Sequence, residues 1–162
     1  MMLFFAAPVW AATQTYTNTR FLYSVDYPDA WRVKEIAGSA HFLSPFESKE
    51  DKFAENVTVS VEYLGGLPEV TLLDYHQKAI REAPDRLQDF KVLEEARTEF
   101  LGFEAVAVLY TATVKGRPFK FKDYKFMIGK DVYVLTYTAL SDDFDKYLRA
   151  AEKVMHSLRV SP

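Results

Sequence analysis

Basic side chains crowd into positions 115–125 of this 162-residue chain, where Lys115, Arg117, Lys120, Lys122 and Lys125 are interleaved with Phe119, Phe121 and Tyr124. Side chains alternate sides along a strand, so Lys120 and Lys122 share one face while Phe119 and Phe121 share the other. The chemistry open to such a stretch is electrostatic. Lys115, Arg117, Lys120 and Lys122 are the candidate partner-binding residues, a docking patch for an acidic protein or an anionic surface. The plain structural alternative is a solvated strand face, since lysine commonly guards exposed edges.

Covalent or acid–base chemistry finds less support. A hydrolytic triad sets a histidine between a nucleophile and a carboxylate, and His41, His76 and His156 have no flanking catalytic motif. His76 falls on the apolar stripe of a helix, where a boundary or core role is the first expectation. Gly65-Gly66 lacks the further glycines and the lysine of a phosphate loop. Asp142, Asp143 and Asp145 suit the first turn of a helix, where acids favour the dipole, better than a metal site. The chain has no cysteine, which removes disulfides, thiol nucleophiles and thiolate metal sites together. The expectation is therefore a protein that is not an enzyme, with no catalytic, cofactor-binding or metal residues and no cofactor. A metal site assembled only in three dimensions stays open. With a formal net charge of -3, no basic footprint for nucleic acid is expected.

The elements that must position these residues are mostly strands. Phe21, Tyr23, Val25 and Tyr27 alternate onto one face until Pro28, and the pattern restarts at Trp31. A second strand is predicted from Trp31 to Ile36, with a turn at Gly38-Ser39 and a return through 40–44. The charged stretch 44–55 reads as a long surface loop. Val57, Val59, Val61 and Tyr63 then mark the inward face of another strand. Thr71 caps a helix with Asp74 reaching back to it, and the helix stops near Pro84. Four strands follow, over roughly 91–100, 103–114, 119–128 and 132–140, joined by glycine turns. Both faces of the last are apolar enough to be covered, as in a central strand between layers. A final helix over 142–158, capped by Ser141 or Asp142, carries Phe144, Tyr147, Leu148, Ala151, Met155 and Leu158 on one stripe.

Three segments are expected. Residues 1–11 are apolar, end in Val9-Trp10-Ala11 and read as a signal peptide truncated at its positive end. Residues 12–20 read as a polar linker, and 21–160 as one domain, since a chain of this size holds one core. The predicted location is periplasmic or extracellular.

The order and spacing of Phe21 to Trp31, Phe42 to Pro45, Asn56 to Glu62, Thr71 to Tyr75, the Gly102 turn, Tyr133 to Ala139 and the closing Ser157-Leu158-Arg159-Val160 resemble the PsbP-like family. That family includes the extrinsic PsbP subunit of photosystem II and the bacterial periplasmic DcrB-type lipoproteins. The resemblance implies an α+β fold, an alpha-beta-alpha sandwich with a central, mainly antiparallel sheet, that acts by binding partners. Two departures narrow it. The plant subunit engages its complex through an N-terminal extension, whereas here only 13–20 would remain after cleavage. The DcrB-type lipoproteins carry an acylated cysteine, so this chain, if exported, is expected to be soluble rather than lipid-anchored. The function expected is that of a binding or assembly factor in the cell envelope, with a protein partner of unknown identity. Peripheral association with a membrane or envelope complex stays open, as does the oligomeric state. The alternative is a small-ligand or metal-binding domain that uses a cleft beside the 44–55 loop.

Overall fold

The computed structural model describes residues 12–161, so the apolar stretch 1–11 lies outside the described residues. Ten strands and two α-helices follow in the order β1 (Thr13–Asn18), β2 (Tyr23–Pro28), β3 (Arg32–Ile36), β4 (Ser39–Leu43), β5 (Asn56–Tyr63), α1 (Leu72–Glu82), β6 (Gln88–Phe100), β7 (Phe103–Val114), β8 (Arg117–Ile128), β9 (Asp131–Leu140), α2 (Phe144–His156) and β10 (Arg159–Val160). A seven-stranded antiparallel sheet runs β3-β4-β5-β9-β8-β7-β6, and a three-stranded sheet runs β1-β2-β10. The β6–β7 and β7–β8 turns have two residues each, Leu101-Gly102 and Lys115-Gly116, all four at positive φ. Turns of that hand match strand twist, and glycine relieves the second position.

Residues paired across neighbouring strands point the same way, which sorts the large sheet into two faces. One face carries Phe42, Val57, Leu135, Tyr137, Tyr124 and Phe126, and meets α2 and the small sheet in the main core. On the other face α1 lies against β7 and β8, with His76 beside Glu95. The result is an α+β sandwich whose second layer on one side is part helix, part sheet.

The small sheet corrects the expectation of a linker before Phe21. Thr13–Asn18 pairs residue by residue with β2. Tyr16 turns inward, its ring 6.1 Å from Tyr23 and 5.7 Å from Phe42, while Thr15 donates to Asp26 at 2.6 Å. A strand with a single inward aromatic among threonines carries little apolar alternation. Its stability comes from pairing and from the rings beneath it.

β9 is central, with one face sealed along its length and the other sealed only at Val132, which is fully buried. Tyr133, Leu135, Tyr137 and Ala139 are buried, whereas Val134, Thr136 and Thr138 are half-exposed. A helix about 10 Å wide spans roughly two strands spaced about 4.8 Å apart. α1 stands mainly over β7 and β8, with Tyr75 reaching Glu62 at the end of β5, and leaves the strip of Thr58, Thr136 and Thr138 partly open beyond it.

α1 starts as expected, with Asp74 N–H donating to Thr71 Oγ1 at 3.1 Å and Thr71 N–H to Asp74 Oδ2 at 3.0 Å. Its only fully buried residue is His76. α2 is shorter than predicted. Asp143 rather than Ser141 or Asp142 holds the N-cap position, because residues 141–143 turn back on β9 through Asp143 N–H to Leu140 O. The helix ends at His156, and Ser157 ties its last turn to β2 by donating to Val154 O and accepting from Asp26 N–H. Leu158 is still buried, and Arg159–Val160 completes the small sheet.

Candidate functional site

The basic stretch divides between the two faces of β8. Lys120 and Lys122 lie on the α2 face. Lys122 Nζ pairs with Glu152, which also takes the Tyr124 hydroxyl at 3.4 Å. Burial pulls the Lys122 pKa down, yet its bonds to Glu152 and Tyr124 outweigh this and leave it above the usual lysine value. Lys120 Nζ sits 4.7 Å from the centre of the Phe144 ring. Lys115 is exposed at the hairpin tip. Arg117 faces the 44–55 loop, where Asp51 accepts from the backbone N–H groups of Glu47 and Phe53 at 3.0 and 3.1 Å. Those bonds, with the nearby Arg117 charge, hold the Asp51 carboxyl below its ordinary value.

Lys125 leaves this group altogether. It lies on the opposite face with Asp123, at 2.8 Å, and each residue is only 5% exposed. The Tyr110 hydroxyl approaches Asp123 Oδ1 at 3.4 Å, and burial followed by that charge pushes the phenol pKa above its ordinary range. Around this pair runs an aromatic ribbon that sequence reasoning missed, from Phe90 through Tyr110, Phe121 and Phe119 to Phe53, with Tyr110 and Phe121 stacked at 4.8 Å and 8°. The available signal was parity: residues 119, 121, 123 and 125 share one face.

The 44–55 loop is fastened to the body of the fold. Glu47 pairs with Lys146 and Tyr147 at the start of α2, Ser44 N–H donates to Glu55 O at 2.8 Å, and Phe53 packs edge-on against Phe119. A cleft of about 730 Å³ opens instead at the other end of β5, between α1 and the segment 64–70. Leu64, Leu67, Val70, Ala79, Ala83 and Leu87 form its apolar lining. It lies away from the 44–55 loop, beside which the alternative reading of the sequence expects a cleft.

The three histidines are held apart. His41 Nδ1 lies 3.0 Å from Thr58 Oγ1, and burial lowers its pKa. His76 is buried under α1 with Nε2 3.3 Å from Glu95. His156 packs on Phe100 across the sheet, 3.1 Å from Glu152. Among the described residues, no three His, Asp or Glu side chains come together as a metal site. Among them, too, no helix is long and apolar enough to cross a membrane.

Solved structures share this fold over most of their length. LpqN of Mycobacterium tuberculosis, involved in cell envelope biogenesis, superposes with a TM-score of 0.69 at 16% identity, over 96% of this chain and 100% of its own. Cyanobacterial PsbP (CyanoP) of Synechocystis sp. PCC 6803 gives 0.61 at 17% identity, over 96% and 97%. The chain has a PsbP-like fold. PA94 of Pseudomonas aeruginosa, a protein of unknown function described as a putative regulator, gives 0.67 at 19% identity, over 93% and 98%. No family model and no curated protein matches the sequence.

Proposed function

We propose that this protein is an exported, non-catalytic binding or assembly factor of the cell envelope. The observation that carries this reading is the PsbP-like fold shared along the whole chain with LpqN, a protein of cell envelope biogenesis, and with CyanoP. The arrangement of charge supports the non-catalytic part. Glu152 is taken by Lys122 and His156, Asp123 by Lys125, and Asp26 by Arg159. These groups serve packing and pairing. The apolar stretch ending in Ala11 supports export.

The docking surface in this reading is the β7–β8 hairpin, with Lys115 at its tip and Arg117 and Lys120 behind it. Lys122 contributes only to the extent that it exchanges Glu152 for a partner's carboxylate. Fractionating the source cells and sequencing the N-terminus of the native protein tests export. A periplasmic protein beginning at Ala12 is expected, and a cytosolic product that keeps residues 1–11 overturns export. Cross-linking in the native envelope, comparing wild type with Lys115→Glu/Lys120→Glu, tests the surface. Loss of a partner band is expected in the variant, and an unchanged band at low salt removes the hairpin from the proposal.

A further inference from the structure

The cleft beside α1 has the size, walls and charge layout of a small-ligand site. Its volume of about 730 Å³ lies in the usual range for such sites, roughly 300–1,000 Å³. One wall is a helix flank kept low by Ala79 and Ala83, and the facing wall is Leu64, Leu67 and Val70. α1 is strongly two-sided in sequence yet seals only His76, so this flank is left open. Leu67, in the lining, is 52% exposed, and Tyr63, at the end of the strand that leads into this wall, is 69% exposed. Tyr63 keeps its ring folded onto Gly65, where an added Cβ would lie 1.9 Å from Cζ. Large apolar side chains this exposed, beside an apolar cleft, favour an apolar guest.

Charge along the rim is uneven. At the end near the start of α1, the two carboxylates are already engaged: Asp74 in the Thr71 cap and Glu62 by the Tyr75 hydroxyl at 2.8 Å. At the far end Arg81 and Arg86 stand with the single carboxylate of Glu82, and Lys78 lies midway, one turn from both Asp74 and Glu82. Glu82 lies 3.0 Å from Arg86 and 3.9 Å from Lys78, and no carboxylate pairs with Arg81 among the described residues. An apolar trough that ends in surplus cations is complementary to one kind of molecule. We propose that this cleft binds an anionic amphiphile, its hydrocarbon chain between Ala79 and Leu67 and its acidic head at Arg81, Lys78 and Arg86. The guanidinium of Arg81 suits a planar carboxylate or a phosphate alike.

The test uses the purified full chain, titrated by calorimetry and amide NMR with sodium dodecanoate, dodecanol and sodium butyrate, each below its aggregation threshold. Saturable one-to-one binding of dodecanoate is expected, with shift changes concentrated in 62–87. Dodecanol should bind roughly tenfold more weakly, the loss of one charge-assisted contact, and butyrate not measurably. Arg81→Glu, at an exposed position, should bring dodecanoate down to or below the affinity of dodecanol, since the new carboxylate also repels the acidic head, and leave dodecanol unchanged. Ala79→Trp should abolish binding of both by filling the trough. Leu67→Glu, at a half-exposed site that does not threaten folding, should do the same through the opposite wall. Dodecanoate binding that fails to saturate, survives both Ala79→Trp and Leu67→Glu, or is insensitive to Arg81→Glu overturns the proposal. A dodecyl phosphate arm run beside dodecanoate separates a phosphate-headed from a carboxylate-headed ligand, and binding of neither also overturns it.

Discussion

Lys125→Met would strand a carboxylate in the interior. Asp123 and Lys125 are each 5% exposed, with Nζ and Oδ2 2.8 Å apart, so water screens the pair very little. The remaining neighbour, the Tyr110 hydroxyl, approaches Oδ1 at 3.4 Å, too long to replace an ammonium. Breaking a buried pair from one side costs about 3–5 kcal/mol, because the surviving charge keeps its desolvation penalty and loses its partner. Against a domain stability of roughly 5–15 kcal/mol, that is a large fraction. Removing both charges is a different perturbation. Asp123 sits across from Val108 on β7, and Lys125 from Val106, so valine and methionine enter apolar company. Asp123→Val/Lys125→Met should therefore lie within about 1 kcal/mol of wild type, or above it. Urea unfolding of wild type, both single variants and the double variant yields the coupling directly, and at least about 2 kcal/mol is expected. Tyrosine absorbance adds a second readout: with Asp123 gone, the Tyr110 phenol should titrate lower than in wild type while burial still holds it above its ordinary range. A Lys125→Met cost below about 1 kcal/mol at an unchanged urea slope refutes the reasoning, as does a double variant less stable than either single.

Three further predictions concern the edges of the fold. Thr71→Ala removes the side chain that caps α1 and should cost about 1 kcal/mol, measured by urea unfolding; no loss would mean that α1 is anchored from elsewhere. Asp26 accepts from Arg159 and Thr15, which lowers its pKa from 3.8 to about 2. A lowered carboxylate pKa stabilises the fold above the unfolded value and loses that contribution as pH falls through the folded one. Asp26→Asn should thus be less stable than wild type at neutral pH and lose less stability between about pH 4 and pH 2; equal acid slopes count against it. Gly65→Ala should drive the Tyr63 ring off the 64–67 segment, seen by NMR as loss of its contacts, while stability changes by less than about 1 kcal/mol because the ring is already exposed.

The long hairpins of the large sheet were legible because their signals are local. Period-two runs end at Val114, Ile128 and Leu140, and the glycines that follow the first two accept positive φ. The cap at Thr71 was legible for the same reason, since both partners lie within one turn. Thr13–Asn18 was not. Its threonines carry little apolar pattern, and what makes it a strand is the edge that β2 offers it. The start of α2 was displaced for a related reason: Ser141, Asp142 and Asp143 follow one another, and each is an equally plausible cap. The backbone bond from Asp143 to Leu140 then chooses among them by holding the turn to β9.

The site was harder to read, because strand parity tells which residues share a face but not what stands over that face. Parity put Lys120 with Lys122 and away from Phe119 and Phe121, as the structure has them. Whether the two lysines meet solvent depends on where Glu152 and Phe144 fall along α2 and how that helix is seated, and neither is written in β8. The same rule carried a warning about Lys125. It shares the Phe119 and Phe121 face with Asp123, and opposite charges two apart on an apolar strand face can avoid a stranded charge by pairing with each other. The uncovered part of that face shows the converse. Thr58, Thr136 and Thr138 have hydroxyls that water can satisfy and methyl groups that a helix could bury, so composition left both states open. The width of α1 against seven strands decides between them, and leaves the half-exposed strip to β5 and β9.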